Sequence, residues 1–331
     1  MLFLLSISLL VLLLAAFALS AFYRYRHDIA PKGKCIVVSG AASGIGEALV
    51  RKLLSHQCRV IAVDCNEHLL AQRQQEYMDK GLLSSKDDET YRYFTFDLST
   101  TTVQDIQKRL FIDSEQSVRR IDALVNCAGI SYPRDGLYTS LIEQQEDVFE
   151  KMLATNVVGH LKMTKAVFPH LLSRLNGYDD GQSVIMNVAS PAGVLIPPYL
   201  GTPYGVTKAA LISWNDGIRR ELHSTGIDVC CVYPGFTKTG MAFKGNIDSS
   251  SKFSHEIENC QKAFGKIMDK FGQDAEEVAC VMFTNLFSSN RGKHVYIDSN
   301  GKSFIWPLLA AVQCLCPGVI DFLLLKLASF K

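Results

Sequence analysis

Seven apolar runs of strand length alternate with helix-length segments along this chain of 331 residues. The runs are KCIVVSG, CRVIAVD, YRYFTFD, DALVNCAG, SVIMNVAS, IDVCCVYPG and KHVYID. Continuous apolar strands joined by crossover helices are typical of a parallel sheet that helices cover on both faces. The sequence therefore predicts an α/β fold with a doubly wound parallel sheet. Because no Pro/Gly/Ser-rich linker divides residues 34–300, it predicts one domain there.

Three stretches interrupt this alternation of strands and helices. Residues 78–90 and 176–182 are polar and rich in Gly and Asp, which predicts surface loops. Residues 236–272 are much longer than the ~2 to 6 residues that usually connect such elements. We expect a mobile lid over a pocket there, with a plain surface excursion as the alternative.

The first 23 residues carry no charged side chain. At about 1.5 Å per residue, a helix of this length spans the ~30 Å hydrocarbon core of a bilayer, so residues 1–23 are predicted to form a transmembrane anchor. A cleaved signal peptide ending in ALS before Ala21 is the alternative. Basic residues follow the run, which predicts a cytosol-facing body and makes the endoplasmic reticulum the default membrane.

A second apolar stretch lies at the C-terminus, within residues 303–331. Its sequence SFIWPLLAAVQCLCPGVI carries no charge but is interrupted by Pro307, Gln313, Pro317 and Gly318. We expect this segment to lie on the bilayer as an interfacial or re-entrant element instead of crossing it. Such an element suits a lipophilic substrate that resides in membrane lipid.

Charge, cysteine and histidine patterns exclude several kinds of protein. The 34 Lys and Arg residues balance 33 Asp and Glu residues without a basic block, so a nucleic-acid partner is excluded. The ten cysteines contain no CxxC motif and lie mostly in apolar runs, which favours reduced, buried thiols. The eight histidines show no HExxH spacing, and no metal site is predicted.

The first apolar run leads directly into the glycine-rich segment SGAASGIG. Gly40, Gly44 and Gly46 are spaced as GxxxGxG and precede the helical pattern EALVRKLLSH. Glycines at such a strand–turn–helix junction let backbone N–H groups approach a pyrophosphate, which predicts a Rossmann-like dinucleotide site. Asp64 ends the second run and is expected to accept hydrogen bonds from the adenosine ribose. Because its charge would repel a 2′-phosphate, and neither Cys65 nor the glycine loop supplies a cation, NAD(H) is expected over NADP(H).

Tyr204 and Lys208 lie one helical turn apart in the segment YGVTK. Residues at i and i+4 share a helix face, and a cation beside a phenol lowers the pKa of the Tyr from its usual value of ~10. The pair is therefore a candidate acid or base together with the residue that adjusts its pKa.

These motifs resemble the classical branch of the short-chain dehydrogenase/reductase superfamily. SGAASGIG resembles TGxxxGxG with Ser39 in place of Thr, NCAG resembles NNAG with Cys127 in place of Asn, and YGVTK matches YxxxK. The resemblance implies cofactor contacts from Ser39, Gly40, Ser43, Gly44, Ile45, Gly46, Asp64, Asp97, Leu98, Asn126, Ala128, Gly129, Tyr204, Lys208, Pro234, Gly235, Thr237 and Thr239. It implies a catalytic group of Asn156, Ser190, Tyr204 and Lys208. The spacing from Ser190 to Tyr204 is about one residue longer than the family commonly has, so the loop LIPPYLG is expected to be reshaped.

The resemblance also implies a role for each catalytic residue. Tyr204 acts as acid or base at the substrate oxygen, while Lys208 lowers its pKa and hydrogen-bonds the nicotinamide ribose. Ser190 donates a hydrogen bond to the substrate oxygen, and Asn156 holds a water that links Lys208 to solvent. The structural alternatives are that Ser190 caps the segment after its strand and that Asn156 bonds helix backbone. The helix that carries Lys208 and Trp214, and the helix before it near residues 143–176, are implied to pack in a homodimer.

The sequence therefore predicts an NAD(H)-dependent oxidoreductase that interconverts a hydroxyl and a carbonyl on a lipophilic substrate. Steroids, retinoids and long-chain alcohols fit the anchor, the apolar C-terminal element and the apolar lid residues Met241, Phe243 and Phe253. The family resemblance favours oxidation as the direction. One alternative is a 3-ketosphinganine reductase of sphingolipid synthesis, and another is a non-catalytic NAD(H)-binding scaffold at the membrane.

Overall fold

The structure, a computed structural model, describes residues 29–112, 121–131, 140, 142–175, 183–195, 201–241, 247–299, 301–303 and 305–315. The predicted anchor at 1–23, the predicted loop at 176–182 and residues 316–331 of the C-terminal element lie outside the described residues. Among the helices that are described, none has the length and apolar character needed to cross a bilayer.

All seven predicted runs form strands of one sheet. The strands are β1 (Cys35–Ser39), β2 (Arg59–Asp64), β3 (Tyr91–Thr95), β4 (Ala123–Asn126), β5 (Val184–Val188), β6 (Asp228–Pro234), β7 (His294–Asp298) and β8 (Gly301–Lys302). They lie in the order β3-β2-β1-β4-β5-β6-β7-β8. The first seven are parallel, which confirms the Rossmann-like α/β prediction. The short β8 adds an antiparallel pair at the β7 edge that the sequence pattern did not predict.

Helices connect the strands and cover both faces of the sheet. They are α1 (Gly44–Ser55), α2 (Glu67–Asp79), α3 (Val103–Gln107), α4 (Glu146–Leu153), α5 (Gly159–Leu175), α6 (Thr202–Glu221), α7 (Ser254–Phe271), α8 (Ala275–Leu286) and α9 (Ile305–Leu315). A π-helical turn, Ala154–Val158, joins α4 to α5. Such turns are frequent at functional sites.

The two faces of β1 show why the predicted strands read as continuous apolar runs. All five residues of β1 are buried. Ile36 and Val38 belong to the core cluster that contains Leu49 of α1, whereas Val37 belongs to the opposite cluster with Met163 of α5. Since neither face meets water, both sets of alternating side chains must be apolar.

The order of the strands fixes where a ligand can bind. β1 pairs with β2 on one side and with β4 on the other, so the direction of chain crossover reverses between β1 and β4. Ligands of open parallel sheets bind outside the carboxyl ends of the strands at such a switch point. The glycine-rich segment directly follows β1 and therefore lies at this position.

The two described connections that were singled out in the sequence differ in character. Residues 80–90 form a loop, as predicted, whereas Met78 and Asp79 still belong to α2. Within the loop, Asp88 accepts hydrogen bonds from Ser84 and Thr90. The long connection after β6 contains α7. Before that helix, Ser251 Oγ and the backbone N–H of Lys252 donate to Glu143 at 2.5 and 3.0 Å. The mobility expected of this lid stays a prediction.

Candidate active site

The glycine loop has the shape that a bound pyrophosphate requires. Gly40 has a φ of +70°, and a Cβ there would lie 2.7 Å from the backbone of Ala128, while a Cβ on Gly46 would overlap the carbonyl oxygen of Gly40. Ser43 is the extended N-cap of α1, and its exposed side chain makes no capping hydrogen bond. The first backbone N–H groups of α1 and the Ser43 hydroxyl are therefore open to an anion.

The segment after β6 closes the other side of this loop. A Cβ on Gly44 would meet Cγ2 of Thr239 at 3.3 Å. Gly235 N donates to Ile297 O at 2.8 Å, and Thr237 Oγ1 donates to Gly235 O at 3.0 Å. Thr239, at the end of the segment PGFTKT (residues 234–239), therefore lies against Gly44 of the glycine loop.

Asp64 ends β2 beside the glycine loop, as predicted. Its Oδ2 accepts a hydrogen bond of 3.0 Å from Ala42 N, and its Oδ1 accepts one of 3.1 Å from Asn66 N. The half-buried carboxylate therefore also fixes the position of the glycine loop. This position fits the ribose contact expected of Asp64 and leaves its role in cofactor choice a prediction.

Two predicted cofactor residues use their side chains inside the protein. Asn126 is fully buried, and its Nδ2 donates to Thr164 Oγ1 at 3.1 Å and to Asn187 Oδ1 at 2.9 Å. Ser39 is equally buried, and its hydroxyl accepts a hydrogen bond of 3.4 Å from Ala128 N. Both side chains thus help to hold β1 and β4 in place, while Asn126 Oδ1 has no hydrogen-bond partner among the described residues.

The remaining predicted cofactor residues lie along the same edge of the sheet. Asp97 is exposed after β3, and its Oδ1 accepts hydrogen bonds from the backbone and hydroxyl of Ser99. Leu98 is buried, and its Cβ would lie 2.9 Å from a Cβ on Gly159. Ile45 lies in the first turn of α1, Ala128 and Gly129 follow β4, and Pro234 ends β6.

Ser190, Tyr204 and Lys208 come together at the ends of β5 and α6. Ser190 lies beside the Tyr204 phenol and acts to lower its pKa, and its hydroxyl accepts a hydrogen bond of 3.2 Å from Ala192 N. Lys208 Nζ lies 5.5 Å from the centre of the Tyr204 ring. The capping role considered as an alternative for Ser190 therefore coexists with its contact to the tyrosine. Residues 196–200 of the LIPPYLG loop lie outside the described residues.

Asn156 occupies the π-helical turn between α4 and α5. Its Oδ1 accepts from Ile130 N at 2.8 Å, and its Nδ2 donates to Ile130 O at 2.8 Å and to Thr207 Oγ1 at 2.9 Å. The amide thus ties the segment after β4 to α6, one residue before Lys208. The alternative, a bond to helix backbone, is not what the structure shows, because the backbone that Asn156 bonds is that of Ile130 in the segment after β4. The predicted water relay stays a prediction.

Burial dominates the protonation of the catalytic pair. Burial raises the pKa of Tyr204 to about 12, although the neighbouring Ser190 hydroxyl acts in the opposite direction. Burial also lowers the pKa of Lys208 to about 8. The expected lowering of the Tyr204 pKa is therefore not observed, because the cost of removing the phenolate from water exceeds the stabilisation by its neighbours.

His160 is a polar residue of this region that sequence reasoning missed. It lies one turn after Asn156 and is fully buried, and its Nε2 is 2.7 Å from Ala128 O. Burial, followed by the charge of Lys208, lowers the pKa of His160 to about 3. A neutral imidazole therefore donates to Ala128 and holds the loop that borders Gly40. Its i+4 spacing from Asn156 was the available signal in the sequence.

Aromatic side chains lie next to the PGFTKT segment. The ring of Phe236 is 5.5 Å from the ring of Phe264 on α7 and 6.1 Å from that of Trp306 on α9. Trp306 Nε1 would lie 3.6 Å from a Cβ on Gly235. Both α7 and α9 therefore contact Phe236, which lies between the predicted cofactor residues Gly235 and Thr237.

Comparison with known proteins gives consistent results. A family model described as short chain dehydrogenase matches residues 34–249. A Drosophila melanogaster protein named dehydrogenase/reductase SDR family protein 7-like is 28% identical over 76% of this chain and 70% of its own. The 3-ketodihydrosphingosine reductase of Dictyostelium discoideum is 32% identical over 69% of this chain and 67% of its own.

Solved structures share the fold. A short chain dehydrogenase/reductase from Burkholderia phymatum in complex with NAD superposes with a TM-score of 0.69 at 19% identity, covering 88% of this chain and 96% of its own. A short chain dehydrogenase from Burkholderia cenocepacia in complex with NADP gives 0.62 at 19% identity, covering 90% and 99%. At this identity the likeness concerns the fold alone.

Proposed function

This chain belongs to the short chain dehydrogenase family and is an oxidoreductase that acts on hydroxyl groups, and from this premise we propose that it uses NAD(H) to interconvert a hydroxyl and a carbonyl on a lipophilic substrate. Steroids, retinoids and long-chain alcohols are the proposed substrate classes. The observation that carries the chemistry is the position of Tyr204 between Ser190, which acts to lower its pKa, and Lys208, whose Nζ lies 5.5 Å from the centre of the tyrosine ring.

Each catalytic residue has a definite task in this proposal. NAD(H) supplies a hydride acceptor or donor when it is bound. Tyr204 takes the hydroxyl proton of the substrate during oxidation and returns a proton to the carbonyl oxygen during reduction. Ser190 orients that oxygen by a hydrogen bond. Since the pKa of Tyr204 is about 12, the phenol is protonated at neutral pH and suited to donate its proton in reduction. Oxidation requires the phenolate form, so the expected preference for oxidation stays a prediction.

The choice of NAD(H) rests on Asp64. The short chain dehydrogenase fold binds either NAD or NADP. A carboxylate at the end of β2 accepts hydrogen bonds from ribose hydroxyls and opposes a 2′-phosphate. Asp64 already hydrogen-bonds the glycine loop at Ala42, which supports its location beside the ribose.

A lipophilic substrate is supported by apolar side chains near Gly235 and on α9. Phe236, Phe264 and Trp306 form an aromatic wall beside Gly235. On α9, Ile305, Leu308 and Leu315 are 61%, 65% and 81% exposed. A helix with such a face suits contact with membrane lipid, in keeping with a location at the endoplasmic reticulum membrane that we also propose.

Self-association is a further part of the proposal. Val158 at the start of α5 and Val206 on α6 expose their side chains, and both lie on the helices expected to form a homodimer. Light scattering of the purified protein would decide between monomer and dimer.

A second candidate activity is reduction of 3-ketodihydrosphingosine. The specific observation in its favour is the 32% identity to the Dictyostelium enzyme of that name. The non-catalytic scaffold is disfavoured because the described structure brings Ser190, Tyr204 and Lys208 into one cluster, and Asn156 adjoins it through Thr207.

The test is a substrate panel with detergent-solubilised full-length protein. NADH production from NAD⁺ is measured with retinol, hydroxysteroids and long-chain alcohols, and 3-ketodihydrosphingosine is tested in reverse with NADH and NADPH. We expect an NAD⁺-dependent signal with one of the alcohol classes. Activity confined to 3-ketodihydrosphingosine with NADPH would establish the second candidate and overturn the proposed cofactor. NADH binding without any turnover would favour the scaffold.

A further inference from the structure

A second charged residue reaches the glycine loop from α2. Arg73 Nε donates a hydrogen bond of 3.1 Å to Ala42 O, and its Nη1 forms a 2.6 Å ion pair with Glu76 one turn further along the helix. The Arg73 side chain is 25% exposed. The guanidinium is thus held at the loop and still reaches solvent.

Asp64 and Arg73 bracket the same residue. Asp64 Oδ2 accepts from Ala42 N, and Arg73 Nε donates to Ala42 O. The carboxylate and the guanidinium therefore both contact Ala42, one at its N–H and the other at its carbonyl oxygen. A ribose that reaches Asp64 therefore brings its 2′ position close to a cation as well as to an anion.

Carboxylates and one guanidinium lie around this part of the loop. Asp64 and the exposed Asp97 lie near Cys65, whose pKa is raised first by burial and then by these two carboxylates, and Glu76 pairs with Arg73. Arg73 is the cation that these contacts place at Ala42. A guanidinium binds phosphate by charge-assisted and often bidentate hydrogen bonds, and Arg73 has donors beyond the two used at Ala42 and Glu76.

We propose that Arg73 forms a latent binding site for the 2′-phosphate of an adenosine cofactor. On this view Asp64 directs the chain towards NAD(H) by opposing an existing phosphate site, and not because the loop lacks a cation. The inference rests on the proposed binding of a dinucleotide beside Asp64. It predicts that removal of one carboxylate suffices to admit NADP(H), without the introduction of a new basic residue.

The experiment compares binding of two probes by calorimetry on the full-length protein. 5′-AMP and 2′,5′-ADP differ only in the 2′-phosphate, and neither can be turned over. The variants are Asp64→Asn, Arg73→Ala and the double variant. Arg51→Ala is the matched control, because Arg51 also pairs with a helical glutamate and its side chain is 30% exposed.

In Asp64→Asn we expect 2′,5′-ADP to bind about tenfold tighter than 5′-AMP, as for one charge-assisted contact. This advantage should disappear in the double variant and persist when Arg51→Ala is combined with Asp64→Asn. Glu76→Gln should increase the affinity for 2′,5′-ADP several-fold, because it releases the guanidinium.

Other outcomes overturn the proposal. An equal preference for 2′,5′-ADP in Asp64→Asn and in the double variant would show that another group binds the phosphate. Equal weakening of both probes by Arg73→Ala would show that Arg73 only supports the loop. Binding of 5′-AMP and NADH without any gain for 2′,5′-ADP in Asp64→Asn refutes the Arg73 site alone, whereas failure to bind any of these ligands refutes the dinucleotide site as well.

Discussion

Lys208 Nζ donates a hydrogen bond of 2.9 Å to the backbone carbonyl oxygen of Val188. The bond joins the second turn of α6 to the last residue of β5, two residues before Ser190. A Cβ on Gly193 would lie 2.7 Å from the Lys208 carbonyl carbon, so the turn that carries Ser190 packs directly on the helix that carries Tyr204. This packing places the three predicted catalytic side chains close together.

Replacing Tyr204 with Phe should lower turnover by at least about a hundredfold, because the variant loses the group that transfers the proton. NADH binding, measured by fluorescence, should change little. Tyr93→Phe, on the edge strand β3, serves as the control for removal of a tyrosine hydroxyl elsewhere. Turnover that persists in Tyr204→Phe would contradict the assignment.

Replacing Gly46 with Ala should abolish dinucleotide binding, because the added Cβ would overlap Gly40 O and distort the loop. The matched control is Gly217→Ala on α6, where no atom lies within 4 Å of the new Cβ. That control should stabilise the protein by up to about 1 kcal/mol, since Ala favours a helix over Gly. Calorimetric titration with NADH and thermal unfolding measure the two effects.

Replacing Asn156 with Ala should reduce both stability and turnover. The change leaves the N–H and carbonyl of Ile130 without their partner, and each unsatisfied buried group costs about 1–3 kcal/mol. Denaturant unfolding and kcat measure the two losses. If stability falls while kcat of the folded fraction is unchanged, Asn156 is a structural residue only.

Acid should destabilise the protein through His160. In the folded protein the pKa of His160 is about 3, below the ordinary value of 6.5. Between these two pH values the unfolded chain therefore binds more protons than the folded chain. The free energy of unfolding therefore falls as the pH decreases from about 6.5 towards 3. His160→Gln should show a shallower decrease over this interval, and equal slopes for both proteins would contradict the buried neutral imidazole.

Replacing Trp306 with Ala should raise KM for a lipophilic substrate several-fold and leave NADH affinity unchanged, because the indole packs on Phe236 outside the glycine loop. Leu308→Ala, which alters an exposed residue of the same helix, is the control for a loss of apolar surface. A change in NADH affinity alone would place Trp306 at the cofactor.

Local patterns determined much of the fold and the list of candidate residues. The seven strands were predictable because both faces of a buried parallel strand are apolar, and the glycine loop and YGVTK were predictable because they work over a few residues. The conformations of Gly40 and Gly46 follow from the strand–turn–helix geometry that their spacing indicates.

Contacts between distant segments decided the rest. The sequence did not reveal that Asn126 lies in the core with Asn187, that His160 supports Ala128 or that Arg73 reaches Ala42, because each contact depends on which strands and helices become neighbours. The direction of the Tyr204 pKa also required the tertiary structure. A nearby lysine is visible in the sequence, but the loss of hydration that outweighs it arises only when the helix packs against the sheet.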